Sequence, residues 1–193
     1  MGTPEILGAI AVIVGIAQYG LYSWKIYKGE VKPHAFTWLI WAILTTIGAV
    51  AQFVEGAGPG AWVTAFTAFM SYAYIVVGFG ASSRAYIARV DWYFFFATLA
   101  AIPLWLITDN PLWSVILITI IDAVAYAPMF RKAYYNPETE SALAQGLAGS
   151  KFIFGILAIQ SFSVVTVLYP ASLILMNGAF ALMLLWRRRD RII

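Results

Sequence analysis

Long apolar runs broken by short polar segments set the pattern of this chain. The runs fall at about 5–25, 35–54, 61–81, 91–108, 111–131, 142–160 and 164–186, each bounded by charged or Gly/Pro-rich residues. A bilayer crossing takes ~20 apolar residues, so each run is long enough to be one. The pattern predicts an all-α membrane protein with seven transmembrane helices in a single membrane domain, 1–193, ending in a basic tail at 187–193. The polar interruptions repeat as well. Tyr19 to His34 is echoed by Tyr126 to Ser141, with Lys25 matching Lys132, Tyr27 matching Tyr134 and Ala35 matching Ala142, all at a separation of 107 (132 − 25). Residues 5–81 therefore read as a first three-helix repeat and 111–186 as a second. The run at 91–108, with its Trp92–Phe96 aromatic cluster, is left as an unmatched linker helix. Three helices return the chain on the opposite face, so the linker inverts it and the two repeats enter in the same direction. They are then parallel, related by an axis along the membrane normal.

Composition and charge sharpen this picture. Hydrophobic residues make up 62% of the chain and charged residues 11%, against about 25% charged in soluble domains. Net charge is +3, but the basic residues form no nucleic-acid patch and no nucleic-acid partner is expected. Instead Lys25, Lys28, Lys32, Arg84, Arg89, Arg131, Lys132, Arg187, Arg188, Arg189 and Arg191 all fall on one face of the seven-helix topology. They account for all but one of the 12 basic residues. The start of the chain, 55–60, 109–110 and 161–163 fall on the other. Retention of Lys and Arg in the cytoplasm predicts a multi-pass protein of the cell (inner) membrane, with the amino terminus outside and the carboxyl terminus inside. The first run has no basic segment before it and no small-residue cleavage site after it, so it reads as a retained helix. Trp62, Trp92, Trp113 and Trp186 lie near predicted helix ends, as interfacial anchors do.

One segment is specific enough to suggest a family. Ala127-Pro128-Met-Phe-Arg-Lys-Ala-Tyr-Tyr-Asn-Pro-Glu-Thr-Glu-Ser141 resembles the helix-ending proline, basic residue and Asn-Pro-x-x-Glu-Ser loop of the PQ-loop and SWEET-type transporter superfamily. Met129 stands where that motif has glutamine, and Leu21 stands at the position of the first repeat's proline (128 − 107). The resemblance implies two three-helix bundles joined by an inversion helix, and transport through a site between them. Independently of family, Pro128 removes a backbone hydrogen bond and makes either a hinge suited to gating, a static kink or a helix stop. Pro103 and Pro170 carry the same ambiguity.

Two charges fall at membrane depth. Asp122 is eleven residues past Pro111 (122 − 111) and Lys151 ten past Ser141 (151 − 141); at ~1.5 Å per residue both are roughly 15 Å deep. Each alone costs ~2.5–3.5 kcal/mol at a helix centre, so they are expected to pair within the bundle or to face a wet cavity. They either bind a zwitterionic or charged substrate, or pin helices 5 and 6 together. Trp38, Trp41 and Thr45 make one stripe on helix 2, and Asp122 and Tyr126 make one on helix 5. Asn177 lies near the middle of helix 7, where SWEET-type proteins carry a pocket asparagine; its counterpart is Met70, beside Ser71 (177 − 107). Asp122, Lys151, Asn177, Trp41, Tyr126 and Ser71 are the candidate substrate contacts. Gln52 and Gln160, 108 apart (160 − 52), are candidates for an outer gate with Pro128 as hinge, or else reach the interface. Gln18, Tyr22 and Gln145 are further candidates on the inner side.

The lone histidine, His34, provides neither a metal site nor a Ser-His-Asp triad, and no phosphate loop or dinucleotide fingerprint is present. Neither an enzyme nor a cofactor is expected. A retinal protein would carry its lysine in helix 7, whereas Lys151 belongs to helix 6. The sequence therefore predicts a transporter moving a small polar metabolite by alternating access, by facilitated diffusion or with a proton or sodium as coupling ion. A non-transporting receptor or scaffold on the same fold is the alternative.

Overall fold

The computed structural model describes residues 2–29, 35–80 and 89–189. Among them are seven α-helices and no strand: α1 Thr3–Tyr27, α2 Ala35–Val54, α3 Trp62–Gly80, α4 Arg89–Thr108, α5 Pro111–Tyr135, α6 Ala142–Leu157 and α7 Val164–Arg189. His34, Lys32, Arg84, Arg191 and most of the 82–90 segment lie outside the described residues. Local chemistry sets the helix ends. The Ser141 hydroxyl caps α6 by accepting from the Ala144 N–H at 3.3 Å, and the Asn110 side chain accepts from the Leu112 N–H at 2.9 Å at the start of α5. Gly56 and Gly58, at φ 74° and 57°, make the turn after α2 in a region of φ that side chains avoid.

Five helices are long and apolar enough to cross a bilayer: α1, α2, α3, α5 and α7. The described apolar stretches of α4 and α6 are shorter. α6 has 16 residues, ~24 Å of helix against a hydrocarbon core of ~30 Å. Buried Ala158 and Ile159 continue the chain beyond it without helix. The distribution of side chains suits lipid. Exposed positions include Ile13, Val76, Phe96, Leu106, Ile107, Leu175 and Leu182, while Gln18, Gln52, Ser71, Asp122, Lys151 and Asn177 are buried. The four tryptophans Trp62, Trp92, Trp113 and Trp186 are all exposed near helix ends, as an interfacial belt requires.

α1 packs on α3 and α6, α2 on α3, α4 and α5, and α7 on both α5 and α6. α7 thus stands between α5 and α6, which are consecutive in sequence but do not form one of the main helix contacts. Leu44, Val63, Ile118, Phe152, Tyr169 and Leu173 belong to the central apolar core.

The two ends of the bundle differ. At one end the turn at Gly58–Ala61 meets the segment after α6: a Cβ on Gly60 would lie 2.8 Å from the Ile159 Cα and 2.9 Å from its nitrogen, so only glycine fits. Gly8, near the start of α1, lies against Pro59 there too. At the other end Arg188 of α7 donates to the Pro137 and Glu140 carbonyls of the α5–α6 connection.

Candidate functional site

A cavity of about 930 Å³ lies among the helices, lined by residues of every described helix except α4. Each helix contributes a stripe at helical spacing: Gln18, Tyr22 and Lys25 from α1; Trp38, Trp41 and Thr45 from α2; Thr67 and Ser71 from α3; Asp122, Tyr126 and Met129 from α5; Ala144, Ala148 and Lys151 from α6; Tyr169, Leu173 and Asn177 from α7. Tyr19, Thr37, Gln145 and Phe152 complete the helical walls. The cavity reaches the α5–α6 connection, where Glu138, Glu140 and Ser141 form its rim with Lys25. No residue of 55–61 or 158–163 lines it. It is open toward one end of the bundle and sealed from the other.

The six candidate substrate contacts, Asp122, Lys151, Asn177, Trp41, Tyr126 and Ser71, all line this one cavity. Their local bonding differs. Asn177 donates to the Leu173 carbonyl at 2.7 Å and the Ser71 hydroxyl to the Thr67 carbonyl at 2.8 Å, each back along its own helix. Asn177 is seated against Gly149, where a Cβ would come within 3.2 Å of it.

Of the two arrangements expected for Asp122 and Lys151, an ion pair or a shared cavity, they take the second: both line the cavity and they form no ion pair. The Lys151 Nζ donates to the Gln18 Oε1 at 3.1 Å and lies 4.6 Å from the centre of the Tyr19 ring. Asp122 is 1% exposed, and its Oδ2 has no hydrogen-bond partner; the Trp41 side chain is its hydrogen-bonding neighbour. The reason is topological. Helical rise gives both groups a similar depth but does not fix their direction around the bundle. With α7 between α5 and α6, Lys151 faces α1 and Asp122 faces α2. A salt bridge pinning helices 5 and 6 together is thereby ruled out.

Of the gating candidates, Gln52 and Gln160 are not among the residues that line the cavity. Gln52 is buried at the sealed end, where its Nε2 donates to the Thr166 carbonyl at 2.8 Å and ties α2 to α7. The Gln160 side chain is exposed, and its backbone N–H donates to the Ala57 carbonyl at 3.1 Å. Its side chain lies against Gly58, where a Cβ would meet it. α5 runs through Pro128 to Tyr135, so this proline does not stop the helix; its side chain lies outside the described set.

Sequence reasoning missed Tyr19, Thr67, Phe152 and Tyr169. Signals for two of them existed. Tyr19 is the 107-residue counterpart of Tyr126, and Tyr169 continues the four-residue stripe of Leu173 and Asn177. The separation applies along much of the lining: Tyr19/Tyr126, Tyr22/Met129, Thr37/Ala144, Trp38/Gln145, Trp41/Ala148 and Thr45/Phe152 are each 107 apart (126 − 19), with both members on the cavity wall. Thr67/Leu173 and Ser71/Asn177 are 106 apart (177 − 71) and also both on the wall. The two charges break this pattern. The counterpart of Asp122 is Gly15 (122 − 107) and that of Lys151 is Leu44 (151 − 107).

No protein-family model, curated protein or solved structure matches the chain.

Proposed function

We propose that this chain is an inner-membrane transporter that moves a small polar metabolite by alternating access, with the central cavity as its substrate site. The carrying observation is that cavity: it lies among six of the helices, opens at one end only, and presents a carboxylate with one oxygen unpartnered and a buried amine on different walls. Charges are kept at membrane depth at a cost, and a pathway is their usual reason.

The packing supports two parallel three-helix repeats, 5–81 and 111–186, around the linker 91–108. The contact of α1 with α3 has its equivalent in α5 with α7, α2 with α3 in α6 with α7, and α1 with α6 in α5 with α2. The paired lining positions support the same operation, as does the likeness of residues 127–141 to the PQ-loop and SWEET-type motif. In this reading all seven helices cross the membrane, with α4 inverting the chain. The amino terminus is outside and the basic face, with the cavity mouth, is cytoplasmic. The structure then corresponds to an inward-open state. Rocking of the repeats about Pro128 and the Gln52–Thr166 contact opens the outer end, and a proton or sodium gradient is the available driving force.

Uptake into proteoliposomes across a metabolite panel, under imposed proton and sodium gradients, tests this reading. The wild-type chain accumulates at least one polar metabolite, and Asp122→Asn and Lys151→Met each lower uptake about ten-fold or more, a loss of ~1.4 kcal/mol or more. Folded protein that accumulates nothing under any gradient assigns the fold to a receptor or scaffold instead.

A further inference from the structure

The geometry points to a small zwitterion as the ligand of this cavity: one molecule carrying a protonated N–H amine, held on the Asp122 wall, and an anionic group, held on the Lys151 wall. This rests on the cavity's being the substrate site and names what that site takes.

The Asp122 wall offers acceptors. Its Oδ2 and the Tyr169 Oη are both buried, both on cavity-lining residues, and both without a hydrogen-bond partner. A buried carboxylate oxygen without a donor is costly, and an N–H ammonium is the donor that also neutralises it.

The Lys151 wall has the opposite need. Its ammonium has three protons, and Gln18 supplies a single neutral acceptor at 3.1 Å. The rings beside it are already occupied as cation seats: Nζ lies 4.6 Å from the centre of Tyr19 and 5.1 Å from that of Phe152. A ligand cation finds no place there, whereas an anion does.

The placement of the two charges selects one molecule carrying both groups. Gly15 and Leu44 stand at their counterpart positions in the first repeat, so the second repeat alone brings both charges, of opposite sign, to the shared cavity, one on α5 and one on α6. A singly charged ligand satisfies one wall and leaves the other bare. An uncharged polyol supplies hydrogen bonds but neutralises neither charge. A zwitterion answers both and leaves no added net charge in the site.

The test uses the purified full-length chain in detergent and the ligand-dependent rise of its melting temperature. L-phenylalanine, L-leucine and L-tryptophan serve as zwitterions; phenethylamine keeps only the amine and 3-phenylpropionate only the anion. At least one of the three zwitterions binds, and each singly charged analogue binds about ten-fold or more weaker than L-phenylalanine. Lys151→Met closes the gap between L-phenylalanine and phenethylamine, and Asp122→Asn closes that between L-phenylalanine and 3-phenylpropionate. The wild-type ranking needs no variant, so it stands even if a substitution prevents folding. Analogues that match L-phenylalanine, or no shift with any of the three zwitterions, overturn the proposal. If zwitterions fail while uptake finds an uncharged or singly charged metabolite, the substrate class is wrong and transport stands. Zwitterion binding without uptake keeps the ligand class and removes transport.

Discussion

The sealed end of the bundle is built from small residues and backbone, and the open end from long, polar and aromatic side chains. At the sealed end Gly8 meets Pro59, Gly60 meets the Ile159 backbone and Gly155 meets Val63, each too close for a further carbon. At the open end Lys25, Glu138 and Glu140 ring a cavity whose walls carry Trp38, Trp41, Tyr22 and Tyr126. Backbone packed on backbone makes a closure that is either fully formed or absent, because such surfaces cannot deform gradually. Flexible side chains around a wet mouth tolerate change. The difference suggests where substitutions shift the protein between states and where they alter only what it binds.

The largest effect is expected at Gly60. Gly60→Leu places atoms within 3 Å of the Ile159 backbone, which has no side-chain freedom with which to yield. The variant is expected to lose ~1–3 kcal/mol or more, visible as a lower melting temperature in detergent. Gly146→Leu is the control, since a Cβ there meets nothing within 4 Å. Equal loss at both positions would erase the contrast between the two ends.

The cavity charges come next. Removing one member of a buried ion pair costs ~3–5 kcal/mol, but Asp122 and Lys151 have separate surroundings. Asp122→Asn and Lys151→Met are each expected to change stability by less than ~1 kcal/mol, and together to add within ~0.5 kcal/mol. A double-mutant cycle by thermal or chaotrope unfolding reads this directly. A coupling of several kcal/mol would restore the ion pair and refute the separation of the two walls.

A comparable effect on stability is expected where the halves are tied at the sealed end. Gln52→Leu keeps the bulk and removes the bond to the Thr166 carbonyl. Interhelical bonds of this type are worth ~0.6–1.7 kcal/mol, and the melting temperature should fall accordingly. The same variant should transport with an altered rate, because the bond it loses joins α2 to α7 across the closure.

Much of this was legible from the chain alone. Apolar runs located all seven helices; helical spacing singled out Trp41, Asp122 and Tyr126, depth Lys151, the SWEET-type resemblance Asn177 and the repeat separation Ser71, and all six line the one cavity. The errors have physical causes. The run ending at 131 continues as helix to Tyr135, and the one ending at 186 continues to Arg189: charges mark the edge of the apolar layer, while the backbone goes on as helix into water. The run from 142 ends at Leu157 rather than 160, because Ala158 to Ser163 is used to pack the sealed end. Which of the two arrangements Asp122 and Lys151 would take, a pair or a shared cavity, was open for a different reason. A one-dimensional pattern fixes depth along a helix and leaves open which neighbour each face meets, and α7 comes between the two. Gln52 and Gln160, a near-match in sequence, have different surroundings: the first is buried and the second exposed.

Alternating exposure of the cavity is the central claim, and the absence of cysteine from the chain makes it directly measurable. Ala148→Cys places one thiol on the cavity wall, and Phe162→Cys places one on the exposed turn at the sealed end. A membrane-impermeant maleimide is applied to right-side-out and to inside-out vesicles. The account predicts that Ala148→Cys is labelled from both sides, faster from the basic face, while Phe162→Cys is labelled only from the outside. Labelling of Ala148→Cys from the basic face alone, with Phe162→Cys fully reactive from the other, would contradict it.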